Sequence, residues 1–264
     1  MARLLRTLTL ALLGAVAAGA AATGAVLAAS RLEADAPALT PTLTSAPSLP
    51  AGPAGAPASA VAIPQPRQGS LALAAVFRGA VTPLAATDAQ TVRPIASVTK
   101  AMTALVILET RPLLAGQAGP TLTMTQQDVD DYHAIAAGGG SFAPVFLGEQ
   151  LTERELLLGL MLPSANNFAL TAGRWIDGSV TTFVNRLNAR AAALGMHRTH
   201  FVDPDGLSTE TTSTAADLVL LGEAVVMNDA LLSVVSTTSA TLPDGTTVRN
   251  LNVLLSREPG WVGV

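Results

Sequence analysis

Apolar and polar positions are not mixed evenly along this chain. Positions 7–29 carry no charge and are rich in Leu, Ala, Val and Gly, behind Arg3 and Arg6. At about 1.5 Å per residue such a run can cross a ~30 Å hydrocarbon core, and its place behind a basic lead is that of an export signal. Small residues at Ala28, Ala29 and Ser30 permit cleavage, so residues 1–30 read as a signal peptide or as a retained N-terminal membrane anchor. Residues 31–66 are dominated by Ala, Pro, Ser and Thr, and nothing in them can build a core. They are expected to form a disordered or partly extended tether that holds the folded part away from a membrane surface or wall.

The globular pattern begins at about residue 67. Ser70–Arg78 and Val81–Ala86, on either side of Gly79, predict a hairpin of two strands. Two strands alone are marginal, so this pair needs sheet partners from elsewhere in the chain. Ala101 to Leu108 is apolar nearly all round and is bounded by Pro94 and Pro112, which predicts a helix inside a domain. Beyond Pro112 the pattern is loop-like. Asp128, Asp130 and Asp131 lack the spacing of a calcium loop and predict a solvated acidic turn. Thr152 and Glu155 form a capping box ahead of Leu156, Leu157, Leu160 and Met161, a helix that Pro163 ends. Asn166 or Asn167 is expected to cap the next helix, which runs through Trp175 to about Gly178. Ser179 caps another that stops at Gly195, and Thr214 with Asp217 starts a further one. Asp203-Pro204-Asp205-Gly206 reads as a turn, and Pro243-Asp244-Gly245 as the turn of a hairpin.

Composition narrows the picture. The hydrophobic content of 49% is inflated by alanine and by the N-terminus, but the part from residue 67 onward is large enough for one domain core. The absence of cysteine removes disulfides and thiolate metal sites. A net charge of −4 without a basic patch argues against nucleic acid as a partner. His133, His197 and His200 form no metal-binding pattern and read as surface or packing residues.

The candidate chemistry lies at Lys100, the sole lysine among 264 residues, where every other basic side chain is arginine. Arginine stays protonated in proteins, whereas a lysine amine in a dry site can lose its proton and act as a base. Ser97 precedes it by three positions, and on a helix such residues share a face with Cβ atoms about 5–6 Å apart. A helix N-terminus there would favour an alkoxide or oxyanion. Read on their own, the same residues are a serine N-cap and an isolated lysine. Ser164 and Asn166 fall on a tight turn between two predicted helices, from which a hydroxyl and an amide can be aimed at Lys100. Alone, they too are ordinary turn and cap residues.

Taken together, the motifs resemble one family. Pro94-Ile95-Ala96-Ser97-Val98-Thr99-Lys100 comes first, then Leu158-Gly159-Leu160-Met161-Leu162-Pro163-Ser164-Ala165-Asn166. Leu194-Gly195-Met196 through Thr199, Phe201 and Asp205-Gly206-Leu207 follow, and then Ser213-Thr214-Ala215-Ala216-Asp217. In this order, over about residues 69–264, they resemble the serine D-alanyl-D-alanine carboxypeptidases, low-molecular-mass penicillin-binding proteins. The resemblance implies an α/β fold of the penicillin-binding-protein/β-lactamase-like transpeptidase type, a helical cluster packed on an antiparallel sheet. It implies that Ser97 attacks the penultimate D-alanine of a peptidoglycan stem peptide, forming an acyl-enzyme. Lys100 would be the base, Ser164 the proton relay to the leaving amine, and Asn166 the residue that holds the substrate backbone or orients Lys100. The Ser97 backbone N–H would supply half of the oxyanion hole.

The same resemblance implies acylation by β-lactam antibiotics and no metal or organic cofactor. The N-terminal export segment leads to an expected place on the outer side of the cytoplasmic membrane, in the cell wall or periplasm, either released or membrane-anchored. A serine β-lactamase-like hydrolase is a neighbouring reading. Between Ser164 and Asp203 only Asp177 is a carboxylate able to activate a deacylating water, which favours the carboxypeptidase. The family's third motif, K-T-G or similar, lies on a strand lining the cleft, and Gly260-Trp261-Val262-Gly263-Val264 resembles the run leading into it. Residues 67–264 are therefore expected to be an incomplete domain without the C-terminal strands, and a non-catalytic or impaired wall-binding homologue is the alternative.

Overall fold

The computed structural model describes residues 66–77 and 80–257. The expected export segment, the tether up to residue 65 and the run from residue 258 onward lie outside the described residues. Helix α1 spans Thr99–Thr110, and every residue from Thr99 to Leu108 is buried. Its all-round apolar pattern follows from what surrounds it. Around it stand α2 (Gln126–Ala137), α3 (Glu153–Met161), α4 (Asn166–Asp177), α5 (Val180–Ala193), α6 (Ala215–Val226) and α7 (Asp229–Val235). Helices α3 to α7 pack directly on α1, while α2 packs on α4. Met102, Leu105, Ile107, Leu156, Leu160, Phe168 and Phe183 fill the space between them with almost no exposure. Burial of such a side chain stabilises the fold by roughly 1.5–3 kcal/mol. Close approach is needed where α3 meets α4, because a Cβ at Gly159 would lie 2.0 Å from the Phe168 ring.

The strands pair locally. Strands β1 (Leu71–Phe77) and β2 (Ala80–Thr87) form the expected antiparallel hairpin. Its register slips at Leu73/Ala74, where Ala74 faces Pro83 and Leu73 faces Ala85, so Leu84 is the extra residue. Proline has no N–H to give to a ladder, and a bulge beside it accommodates the loss. Shorter antiparallel pairs join β3 (Arg93–Pro94) to β6 (Thr212–Ser213), β4 (Thr121–Thr123) to β5 (Gln150–Thr152), and β7 (Ser239–Thr241) to β8 (Thr247–Arg249). Among the described residues no sheet exceeds two strands. The support that β1 and β2 need comes there from α6, a helix, where sheet partners were expected.

The caps at Thr152, Ser179 and Thr214 form as the sequence predicts, each hydroxyl accepting the N–H three residues on. Two expectations need correction. The acidic stretch is no solvated turn. Thr125 and Asp128 make a capping box that opens α2, and Asp128 is 4% exposed. Its Oδ1 accepts from Thr171 Oγ1 and from Arg174, both at 2.7 Å. Burial works against its charge, but the bonds from Arg174, Thr125 and Thr171 outweigh it and hold the carboxyl below its ordinary pKa. The second correction concerns α4, whose N-cap is Ala165, with no side-chain cap bond. Both asparagines are spent on tertiary partners. Asn167 exchanges two hydrogen bonds with the Ala143 backbone, and Asn166 turns to Lys100.

Candidate active site

Residues Ala96–Val98 form a single 3-10 turn that feeds into α1. Ala96 is held at φ +46, a left-handed conformation uncommon for a residue with a side chain. Its carbonyl accepts from Thr99 Oγ1 at 2.7 Å. On the other side Gly206, at φ +74, leaves no room for a Cβ, which would sit 1.8 Å from the Ala96 carbonyl oxygen. The turn is thus clamped between the first residue of α1 and the Asp203–Gly206 loop. The result leaves Ser97 at the surface and sends Lys100 inward.

Lys100 is 1% exposed, and its amine reaches Ser97 Oγ at 3.1 Å, Asn166 Oδ1 at 2.6 Å and the Asp205 carbonyl at 2.7 Å. An ammonium has three protons to give, so the charged form satisfies all of these partners. Two of them, an amide oxygen and a backbone carbonyl, can only accept. When the amine loses its proton, its lone pair is left facing the one partner that can donate, the Ser97 hydroxyl. Burial lowers the Lys100 pKa to about 8, against an opposing pull from Asp205 and Asp203. The arrangement can therefore switch between holding a serine hydroxyl and taking its proton near neutral pH.

Ser164 sits on the turn between α3 and α4 at φ +62, again strained for a residue with a Cβ. With Ser97, Lys100, Met161 and Leu251 it lines a cleft of about 460 Å³. No hydrogen bond joins Ser164 to Ser97 or Lys100 among the described residues. Asn166 begins α4, its N–H bonded to the Ser141 carbonyl at 2.8 Å. Ser97, Lys100, Ser164 and Asn166 thus meet around one cleft or its buried floor, although they come from two separate stretches of sequence. Asp177, the carboxylate in the span after Ser164, binds Arg186 at the far end of α4, about 17 Å of helix from Asn166.

Comparison with known proteins gives this geometry a context. Residues 68–262 match the Peptidase_S11 family, described as D-alanyl-D-alanine carboxypeptidase. The chain belongs to that family. A D-alanyl-D-alanine carboxypeptidase of Streptomyces sp. strain K15 is 32% identical over 221 residues, 78% of this chain and 74% of the relative. A D-alanyl-D-alanine endopeptidase of Escherichia coli is 34% identical over 130 residues, which is 49% of this chain but 39% of that protein. Among solved structures, a D-alanyl-D-alanine carboxypeptidase of Mycobacterium tuberculosis superposes with a TM-score of 0.66 at 31% identity, covering 78% of this chain and 75% of that one. A single-residue mutant of the Streptomyces K15 DD-transpeptidase gives 0.65 at 30%, covering 76% and 81%. The expected α/β, penicillin-binding-protein-like fold class is therefore the observed one.

Within this S11 chain, one contributor to the site has no signal in side-chain chemistry. The Asp203–Gly206 turn reads as scaffold in the sequence, yet its Asp205 carbonyl is a direct partner of Lys100. A backbone carbonyl is common to all residues, so only the Asp-Pro-Asp-Gly turn pattern could have drawn attention to it. Asn250, Leu251 and Asn252, also along the cleft, carry no sequence signal beyond the end of a hairpin.

Proposed function

We propose that this chain is a serine-type D-alanyl-D-alanine carboxypeptidase acting on peptidoglycan stem peptides. The carrying observation is the set of Lys100 partners, which leaves the Ser97 hydroxyl as the sole donor to a neutral amine. Ser97 Oγ attacks the carbonyl carbon of the penultimate D-alanine while its proton passes to Lys100. The Ser97 backbone N–H stabilises the oxyanion. Collapse of the tetrahedral intermediate breaks the peptide bond. Ser164 gives its hydroxyl proton to the leaving amine of the terminal D-alanine and takes up in its place the proton held by Lys100, which restores the neutral amine. Asn166 fixes Lys100 and borders the substrate backbone. Water then hydrolyses the ester on Ser97, regenerating the hydroxyl. The engagement of Asp177 with Arg186 supports this reading over a β-lactamase that uses a nearby carboxylate to activate water.

A β-lactam presents a strained amide in place of the D-alanyl-D-alanine bond and is expected to acylate the same oxygen. Mass spectrometry of the penicillin-treated chain tests this. The adduct mass should fall on the peptide that contains Ser97 and be absent in Ser97→Ala, and an unmodified Ser97 would reject the proposal. On the same reading residues 1–30 deliver the protein to the outer side of the cytoplasmic membrane, and residues 31–66 give it reach toward the wall. A phosphatase active only after export, fused behind residue 66, should gain activity, and an inactive fusion would reject that part.

A further inference from the structure

Asp203 and Asp205 flank Pro204 in the loop that closes over the start of α1. Their placement exceeds what a turn requires. The Asp205 side chain is 3% exposed, and its carboxylate accepts the Leu207 N–H at 3.1 Å. Asp203 gathers the loop around itself, accepting from the Gly206 N–H at 3.1 Å, the Ser208 N–H at 2.6 Å and Thr211 Oγ1 at 2.6 Å. The loop is fastened to α1 at two positions one turn apart. Thr103 Oγ1 donates to the Pro204 carbonyl and Lys100 to the Asp205 carbonyl, each at 2.7 Å.

The electrostatics form a closed group. Asp205 and Asp203 are the charges that act on Lys100, and Asp203 and Lys100 are those that act on Asp205. Helix α4 contributes only the neutral Asn166 amide at this point. Glu210, the other carboxylate of the loop, is exposed. Burial pushes the Asp205 carboxyl up to about 6, with Asp203 adding to the rise by repulsion and by a bond to the protonated form. Burial alone would lower the Lys100 pKa further. The carboxylates of Asp205 and Asp203 pull the other way and favour the charged amine that its acceptors hold.

We propose that Asp203 and Asp205 are positioning residues for the acyl-transfer reaction, acting through Lys100: Asp203 shapes the loop that presents the Asp205 carbonyl, and the buried Asp205 carboxylate beside that carbonyl favours the charged, acceptor-bound amine. This rests on the acyl-transfer reading above. Its test does not need turnover, so the two can fail separately.

Because Lys100 is the sole lysine, isotopically labelled lysine gives one signal at Cε, whose shift reports the charge of this amine. In the intact chain that signal should show its main inflection near pH 8 and a smaller one near pH 6, as Asp205 gains charge. Asp205→Asn keeps the backbone carbonyl and an acceptor for Leu207. It should abolish the smaller inflection and lower the main one by roughly one pH unit or more, the effect of a single charge at close range. Glu210→Gln, the same charge change at an exposed point of the loop, should leave both in place. A parent titration without the acidic inflection overturns the proposal, even if Asp205→Asn fails to fold. A folded Asp205→Asn with an unmoved main inflection also overturns it.

Discussion

Lys100 needs its three acceptors and its dryness at once, and substitutions separate these needs. Lys100→Arg keeps a cation but has no lone pair to offer at any attainable pH. Penicillin acylation of Ser97 should fall by about 10²-fold or more, the usual worth of a general base. The parent reaction should accelerate as pH rises through about 8, because in the proposed mechanism the competent form is the neutral amine. A flat profile between pH 6 and 9 would contradict that role. Stability is linked to the same group: a folded pKa below the unfolded value of 10.5 means that the unfolded chain binds more protons between about 8 and 10.5. This group's contribution therefore rises with pH across that window. Gly206→Ala tests the clamp from the other side. The added methyl meets the Ala96 carbonyl at 1.8 Å in a backbone conformation already unfavourable for alanine, so a loss above ~2 kcal/mol in denaturant unfolding is expected. Acylation should fall with it, since the Ala96 carbonyl belongs to the turn that carries Ser97. The serine–lysine spacing is legible in the sequence. The glycine's purpose is not, because the atom it avoids lies in a distant segment.

At the scale of the element, α3 carries an anomaly. Its capping box is well formed, yet Glu153 in the first turn is fully buried, and neither carboxylate oxygen has a hydrogen-bond partner among the described residues. Burial raises its pKa to about 7, only partly opposed by Arg111 at the end of α1. The segment 112–125 beside it has no ionisable side chain, Arg154 is turned to Ser233, and the Glu155 carboxylate is held by Thr152. In the window from 4.5 to about 7 the folded state therefore holds more protons than the unfolded state, and stability falls as pH rises through it. Glu153→Met replaces the orphaned carboxyl with an apolar chain of similar length. Its melting temperature should exceed the parent's by several degrees at pH 8, with the gap closing toward pH 5. An equal gap at both pH values would show that the carboxyl does not titrate there. The two corrections to the helix starts share a cause. Thr125 and Asp128 cap α2, whose face is sparsely apolar, so periodicity alone left it hidden, whereas Asn166 and Asn167 have cap chemistry but satisfy their amides across the fold.

For the whole molecule, α1 is the shared wall of the helical cluster. Amide hydrogen exchange should be slowest in Ala101–Leu108, approaching the global unfolding rate, while β7 and β8 exchange earlier through local opening. Faster exchange in α1 than in β7 would refute this account of the core. The nearly all-apolar stretch from Ala101 to Leu108, between Pro94 and Pro112, made that helix readable, because a segment apolar on almost every side can only be stable when covered on every side. The local rules also made the Thr152, Ser179 and Thr214 caps readable, since each involves groups within one helical turn. The sole lysine, set three residues after a serine, marked the candidate site by residue type and spacing, and the other motifs in order gave it a chemical reading. Only the tertiary structure decided what surrounds its amine. Asn166 is 66 residues away and Asp205 is 105, and the latter contributes a carbonyl common to every peptide unit. Local pattern determines which helices form. The partners of a buried charge depend on which distant backbones the packing brings within 3 Å, and side-chain identity does not encode that.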